Sequence, residues 1–168
     1  MEIKIYSREG MEQLLNKGIP ENTAIISFYD PKSKRTPKDY VPIDYSGKCD
    51  HVFQIGLFDI DIEILEDFGL TYDTYLPEAD DLAKFIYDAK RNDLDIICQC
   101  EYGQSRSAAC AAAIVEHFYK TGIWIFSDYK YCPNPLVFHK IYDALEKHSI
   151  DKKEVKVPPC EIGNTIGR

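Results

Sequence analysis

The chain has 168 residues, 45% hydrophobic and 29% charged, an ordinary globular balance with enough length for one domain and a sizeable core. Its 20 basic and 28 acidic residues give a net charge of −8, which excludes nonspecific attraction to nucleic acid or to an anionic membrane. No stretch approaches membrane-spanning length, and Met1 to Tyr6 lacks a basic segment followed by an apolar run, so a cytoplasmic location is expected.

The six cysteines, Cys49, Cys98, Cys100, Cys110, Cys132 and Cys160, match no zinc-binding spacing. No disulfide framework, metal or cofactor is expected for a domain of this size.

From the start, Glu2 to Ser7 alternates Ile3 and Ile5 with polar neighbours, the pattern of an edge strand. Ser7 and Gly18 then bracket a short helix as cap and stop. Thr23 to Tyr29 is nearly continuous in apolar residues and suits a buried strand. The polar stretch from Asp30 to Asp39 carries Lys32, Lys34, Arg35 and Lys38. It reads either as a solvated loop or as a cationic rim that guides an anionic substrate.

His51 to Gly56 forms a third strand, and the residues after it include Asp59 and Asp61 within an acidic run with Glu63, Glu66 and Asp67. Pro77 opens a helix whose first turn holds Glu78, Asp80 and Asp81, with Leu82, Phe85, Ile86 and Ala89 as its core stripe. Asn92 and Asp93 turn the chain into a central strand, Asp95 to Cys100. Ala108 to Lys120 is an alanine-rich helix stopped by Thr121-Gly122, and His117 on it reads as a packing or surface residue. Trp124, Phe126, Tyr129 and Tyr131 are expected in the core. Asn134-Pro135 caps a final amphipathic helix ending near His148, and the tail 151–168 shows no period and is expected to be mobile or surface-bound.

The stretch between the central strand and the alanine-rich helix, Cys100-Glu101-Tyr102-Gly103-Gln104-Ser105-Arg106-Ser107, carries the chemistry. A glycine-bearing turn ahead of a helix aims backbone N–H groups and the positive end of the helix dipole at one point, which suits an anion. A thiol over those donors favours its thiolate, and Cys100 becomes a nucleophile. Arg106 keeps its charge and presents a planar fork that takes two phosphate oxygens.

These eight residues resemble the phosphate-binding loop of the cysteine-dependent protein tyrosine phosphatases, in particular their small dual-specificity branch. The Pro133-Asn134 start of the closing helix also resembles that branch, so the likeness covers roughly residues 50 to 146. The resemblance implies that Cys100 attacks phosphorus, Arg106 holds the equatorial oxygens, and Ser107 helps the thiolate leave. It implies phosphate binding by Glu101, Tyr102, Gly103, Gln104, Ser105 and Arg106. It also implies a general acid on the loop after the third strand, where Asp59 matches best, with Asp61 and Asp73 as alternatives. One departure is Gln99, where the family usually has histidine; glutamine carries no charge to support the thiolate.

The expected fold is a single α/β domain over residues 1–150 with a mostly parallel central sheet flanked by helices, followed by the tail 151–168. The expected activity is hydrolysis of a phosphorylated protein or a small phosphate monoester. Tyr102 and Gln104 add no cation to the loop, which favours phosphotyrosine, with phosphoserine and phosphothreonine as further substrates. Two competing readings are a phosphate-binding adaptor without turnover and a rhodanese-like sulfurtransferase, the latter opposed by Ser105-Arg106-Ser107. A reactive Cys100 is also open to oxidation, with Cys98, Cys49 or Cys110 as partners for a disulfide.

Overall fold

The computed structural model describes residues 1–154. Four strands, β1 (Ile3–Tyr6), β2 (Thr23–Tyr29), β3 (Val52–Gly56) and β4 (Asp95–Gln99), run parallel in one sheet of order β1-β4-β2-β3. Six helices accompany them: α1 (Arg8–Lys17), α2 (Tyr72–Tyr75), α3 (Ala79–Arg91), α4 (Arg106–Tyr119), α5 (Ile123–Ser127) and α6 (Pro135–Glu154). This is the expected α/β architecture, with β1 at one edge of a parallel sheet.

Alternation along the strands sends side chains to two cores. Ile25 and Ile97 face α1 and pack with Met11, Ile43 and Tyr45. Ala24, Ile26, Phe28, Ile96 and Cys98 face the other way and pack under α3, α4 and α6. The helix α4 is buried from Arg106 through Ile114, and its run of alanines lets its axis lie close to the sheet and to α6.

Because all strands are parallel, the segments after Tyr6, Tyr29, Gly56 and Gln99 gather at one rim of the sheet. Ligands in open α/β sheets bind at such a rim, beyond the carboxyl ends of the strands.

Several elements differ from expectation. Pro77 lies ahead of α3, which begins at Ala79, and the segment 69–76 holds the short helix α2 behind a Thr71–Thr74 capping box. The ring residues Trp124 and Phe126 are exposed and Tyr129 is 94% exposed, while Tyr131 alone of that group packs against the core. The reason is that α5 is little more than one turn and buries a single side chain, Ile125. Finally, α6 passes His148 and crosses the expected boundary at 150/151 to end at Glu154. The remainder of the tail, 155–168 with Cys160, lies outside the described residues.

Candidate active site

Residues 101–105 bend between β4 and α4, and the bend is braced from behind by the β1–α1 junction. Arg8 N donates to Glu101 O at 3.0 Å, and Cys100 N to Tyr6 O at 3.3 Å. Gly103 takes φ +67°, and a Cβ there would stand 2.6 Å from Ser7 N. Glycine is therefore required by conformation and by the close approach of backbone. On the far side Cys132 N donates to Gln104 O at 3.0 Å.

Within this frame Cys100 is 2% exposed, and its Sγ lies 3.0 Å from Ser107 Oγ. No side chain caps the first turn of α4: Ser105 Oγ turns away and donates to Asp59 Oδ1 at 2.7 Å. The amide donors of that turn keep their anion-binding capacity.

Arg106 is buried, and its fork is fixed from outside the loop. Its Nη1 donates to Leu57 O at 2.6 Å and meets Asp30 Oδ1 at 2.7 Å. Its Nε is a fully buried donor with no hydrogen-bond partner among the described residues, 3.9 Å from Asp59 Oδ2. An unpaired buried donor on a cation is costly, and an anion in the loop would relieve that cost.

Of the three candidate acids, Asp59 is the one that meets the loop, through Ser105 and Arg106. Asn134 Nδ2 also donates to its Oδ1. Asp61 instead accepts from Ile62 N at 2.6 Å, capping a 3₁₀ turn, and Asp73 is exposed in the first turn of α2.

Gln99, at the position of the expected histidine, is buried and bridges strands: its Oε1 accepts from Ser27 Oγ at 2.6 Å and from Tyr45 Oη at 3.3 Å. Burial pushes the Tyr45 hydroxyl up to about 12, so it remains a donor. Glu101 pairs with Arg8 at 3.7 Å, and Tyr102 is 80% exposed.

Asp30 and Asn134 complete the site, and neither was singled out for it from sequence. Asp30 could have been suspected from its place at the carboxyl end of a buried strand, and Asn134 stands in the sequence only as a helix cap and as part of the Pro133-Asn134 start of the closing helix. His117 lies elsewhere, between Tyr87 Oη at 2.7 Å from Nε2 and Glu146 Oε1 at 2.7 Å from Nδ1.

The cysteines divide by position. Cys49 Sγ contacts Thr23 O at the amino end of β2, the opposite end of the sheet from Cys100, so it is no partner for it. Cys110 is fully buried beside Cys98, and burial pushes its thiol well up. Cys49, Cys98, Cys100, Cys110 and Cys132 are free thiols. Among the described residues no group of three or more His, Cys, Asp or Glu could hold a metal ion, and no helix is long and apolar enough to cross a membrane.

No family model matches the sequence, and no curated protein matches it. Among solved structures, human DUSP28 aligns at 15% identity over 89% of this chain and 94% of its own, with a TM-score of 0.49. PTPMT1 aligns at 12% identity over 91% and 95%, with a TM-score of 0.48. The human tyrosine phosphatase-like serine/threonine/tyrosine-interacting protein aligns at 15% identity over 87% of each chain, with a TM-score of 0.47.

Proposed function

We propose that the protein is a cysteine-dependent phosphatase that hydrolyses phosphate monoesters, phosphotyrosine first among them, through a phosphocysteine intermediate. The observation that carries this reading is the pairing of a buried Cys100 with a buried Arg106 whose Nε has no partner, on either side of a turn leading into an uncapped helix.

In the first step Cys100 Sγ attacks phosphorus as the bond to the leaving oxygen breaks. The N–H groups of 101–106 and the Arg106 fork hold the spreading charge on the equatorial oxygens. Asp59 gives its proton to the leaving oxygen, a contribution typically worth about 10² to 10⁴ in rate. In the second step water attacks phosphorus, Asp59 takes the water's proton, and the S–P bond breaks. Ser107 Oγ, 3.0 Å from the sulfur, stabilises the departing thiolate. No step uses a metal.

Hydrolysis of p-nitrophenyl phosphate without added metal, followed against pH for wild type, Cys100→Ser and Asp59→Asn, tests the reading. Turnover by wild type, its abolition in Cys100→Ser and a large loss of rate in Asp59→Asn are expected. A wild type that binds vanadate yet never turns over would make the site a reader of phosphorylation and overturn the enzyme.

A further inference from the structure

The turn 31–39 combines charge, order and position in a way that the phosphatase reading leaves unused. It holds Lys32, Lys34, Arg35 and Lys38 against one carboxylate, Asp39, in a chain that is acidic overall. Elsewhere among the described residues, Lys4, Arg8, Lys84, Arg91, Lys120 and Lys147 each hold a carboxylate. Lys32, Lys34 and Lys38 are exposed and make no ion pair among the described residues.

The turn is held in shape. Ser33 Oγ accepts from Arg35 N at 3.1 Å and Thr36 N at 3.2 Å, and Thr36 Oγ1 donates to Pro31 O at 2.5 Å. Cations on such a frame lose less freedom on binding than cations on a floppy loop.

Both ends of the turn are tied to the reaction loop. Asp30 holds Arg106, and Asp30 N donates to Tyr40 Oη at 3.3 Å. The Tyr40 ring lies under Arg8, which in turn holds Glu101. At its apex the Arg35 guanidinium lies over the Phe68 ring at 4.3 Å, and Phe68 packs at a tilt against Phe58, the neighbour of Asp59. Lys32 is two residues from Asp30, a chain distance of at most about 7 Å.

We propose that this turn reads a second acidic group on a phosphopeptide, through Lys32, Lys34 and Lys38, while the phosphate occupies the Cys100 loop; this rests on the phosphatase reading above. A peptide is favoured over an anionic membrane by what adjoins the turn. Exposed Asp61, Glu63, Glu66 and Asp67 lie just before Phe68, against which Arg35 packs. A plane of negative charge would meet both sets, whereas one acidic side chain reaches the lysines alone.

The test uses full-length Cys100→Ser protein as a trap and measures binding by fluorescence anisotropy. One phosphotyrosine peptide carries Asp and Glu two to four residues from the phosphate, and a second carries Ser there. The acidic phosphopeptide is expected to bind about tenfold tighter at low salt, as one or two exposed acidic side chains set among three lysines allow. Replacing Lys32, Lys34 and Lys38 by Ser in the trap should bring the two within about twofold and flatten the salt dependence. Thermal melts establish that the triple variant is folded.

Equal affinity for the two peptides, or a preference that survives the triple substitution, overturns the proposal and leaves the phosphatase reading standing. Binding to phosphatidylserine vesicles that is tighter than to the acidic peptide overturns it too. If neither phosphopeptide binds and wild type hydrolyses no p-nitrophenyl phosphate, the phosphatase reading has failed, and this inference with it.

Discussion

Asn134 Nδ2 donates to Asp59 Oδ1 and to Ile60 O, each at 2.9 Å, while its Oδ1 accepts from Val137 N at 3.1 Å. One buried side chain thus closes the first turn of α6 and fixes the loop that carries the proposed acid. Asn134→Ala should cost about 1 kcal/mol as a lost cap and lower Tm by about 2–4 °C. It should also lower kcat by about tenfold, because a proton donor works only when aimed. Asn134→Asp keeps a capping oxygen but sets a second carboxylate beside Asp59. It loses both donor bonds, so Tm should stay below wild type, while the added negative charge moves its pH–rate profile to higher pH, a shift that the uncharged Asn134→Ala should not show.

Among the described residues, the shorter ion pair of Arg106 is with Asp30, at 2.7 Å. The Asp30 side chain is 39% exposed, so the pair lies between a surface bridge and a buried one, and Asp30→Asn should cost roughly 1–3 kcal/mol. The larger effect is expected on kcat/KM for p-nitrophenyl phosphate, on the order of tenfold or more, as the fork loses its aim. Wild-type kinetics in Asp30→Asn would remove Asp30 from the site.

Gly103→Ala tests the brace behind the loop. The positive φ and the 2.6 Å approach to Ser7 N together predict a loss of about 2 kcal/mol or more, with Tm lower by about 4–8 °C. Vanadate affinity should fall with it, because the N–H groups of the turn would no longer converge. Unchanged vanadate binding would mean that the backbone of the turn does not hold the anion.

The clamp between α4 and α6 has a pH dependence of known sign. Burial opposes ionisation of Glu146, but the hydrogen bond and charge of His117, with Lys120 beyond, hold its carboxyl below the usual value. A depressed folded-state value means that the contribution is complete above the ordinary glutamate range, about 4.3, and is lost as pH falls through the lower value. With the Glu146 side chain 42% exposed, the effect belongs with surface pairs, below about 1 kcal/mol. Melting curves should therefore show wild type above Glu146→Gln at pH 6 and the two converging by about pH 3. A gap that widens on acidification contradicts the assignment.

The candidate loop stands out because eight consecutive residues carry its pattern, and the sheet is legible because strand and helix patterns alternate. The partners of the loop are not, because they arrive by topology. Asp30 reaches Arg106 only because β2 lies beside β4, an adjacency that periodicity does not specify. Asn134 announced itself as a cap, yet a cap residue does not reveal what its second donor bond holds. The ring residues of 124–129 were assigned to the core on composition, and a helix of one turn exposes most of what it carries. Cys49 looked available to Cys100 until the parallel register placed it at the opposite end of the sheet.

The brace behind Gly103 is made by β1 and α1, whereas the loop it supports follows β4, the last strand among the described residues. Glu2 N and Asp95, joined at 2.6 Å, are separated by 93 positions. A chain emerging from the ribosome therefore makes β1 long before the strand it pairs with exists, and that ribbon edge must wait, unpaired, until β4 is complete. Closing so long a span is a late and slow event. The turn at Gly103 acquires its shape at that moment, so a chain whose β1 has not yet docked would be folded over much of its length and unable to carry out the proposed reaction.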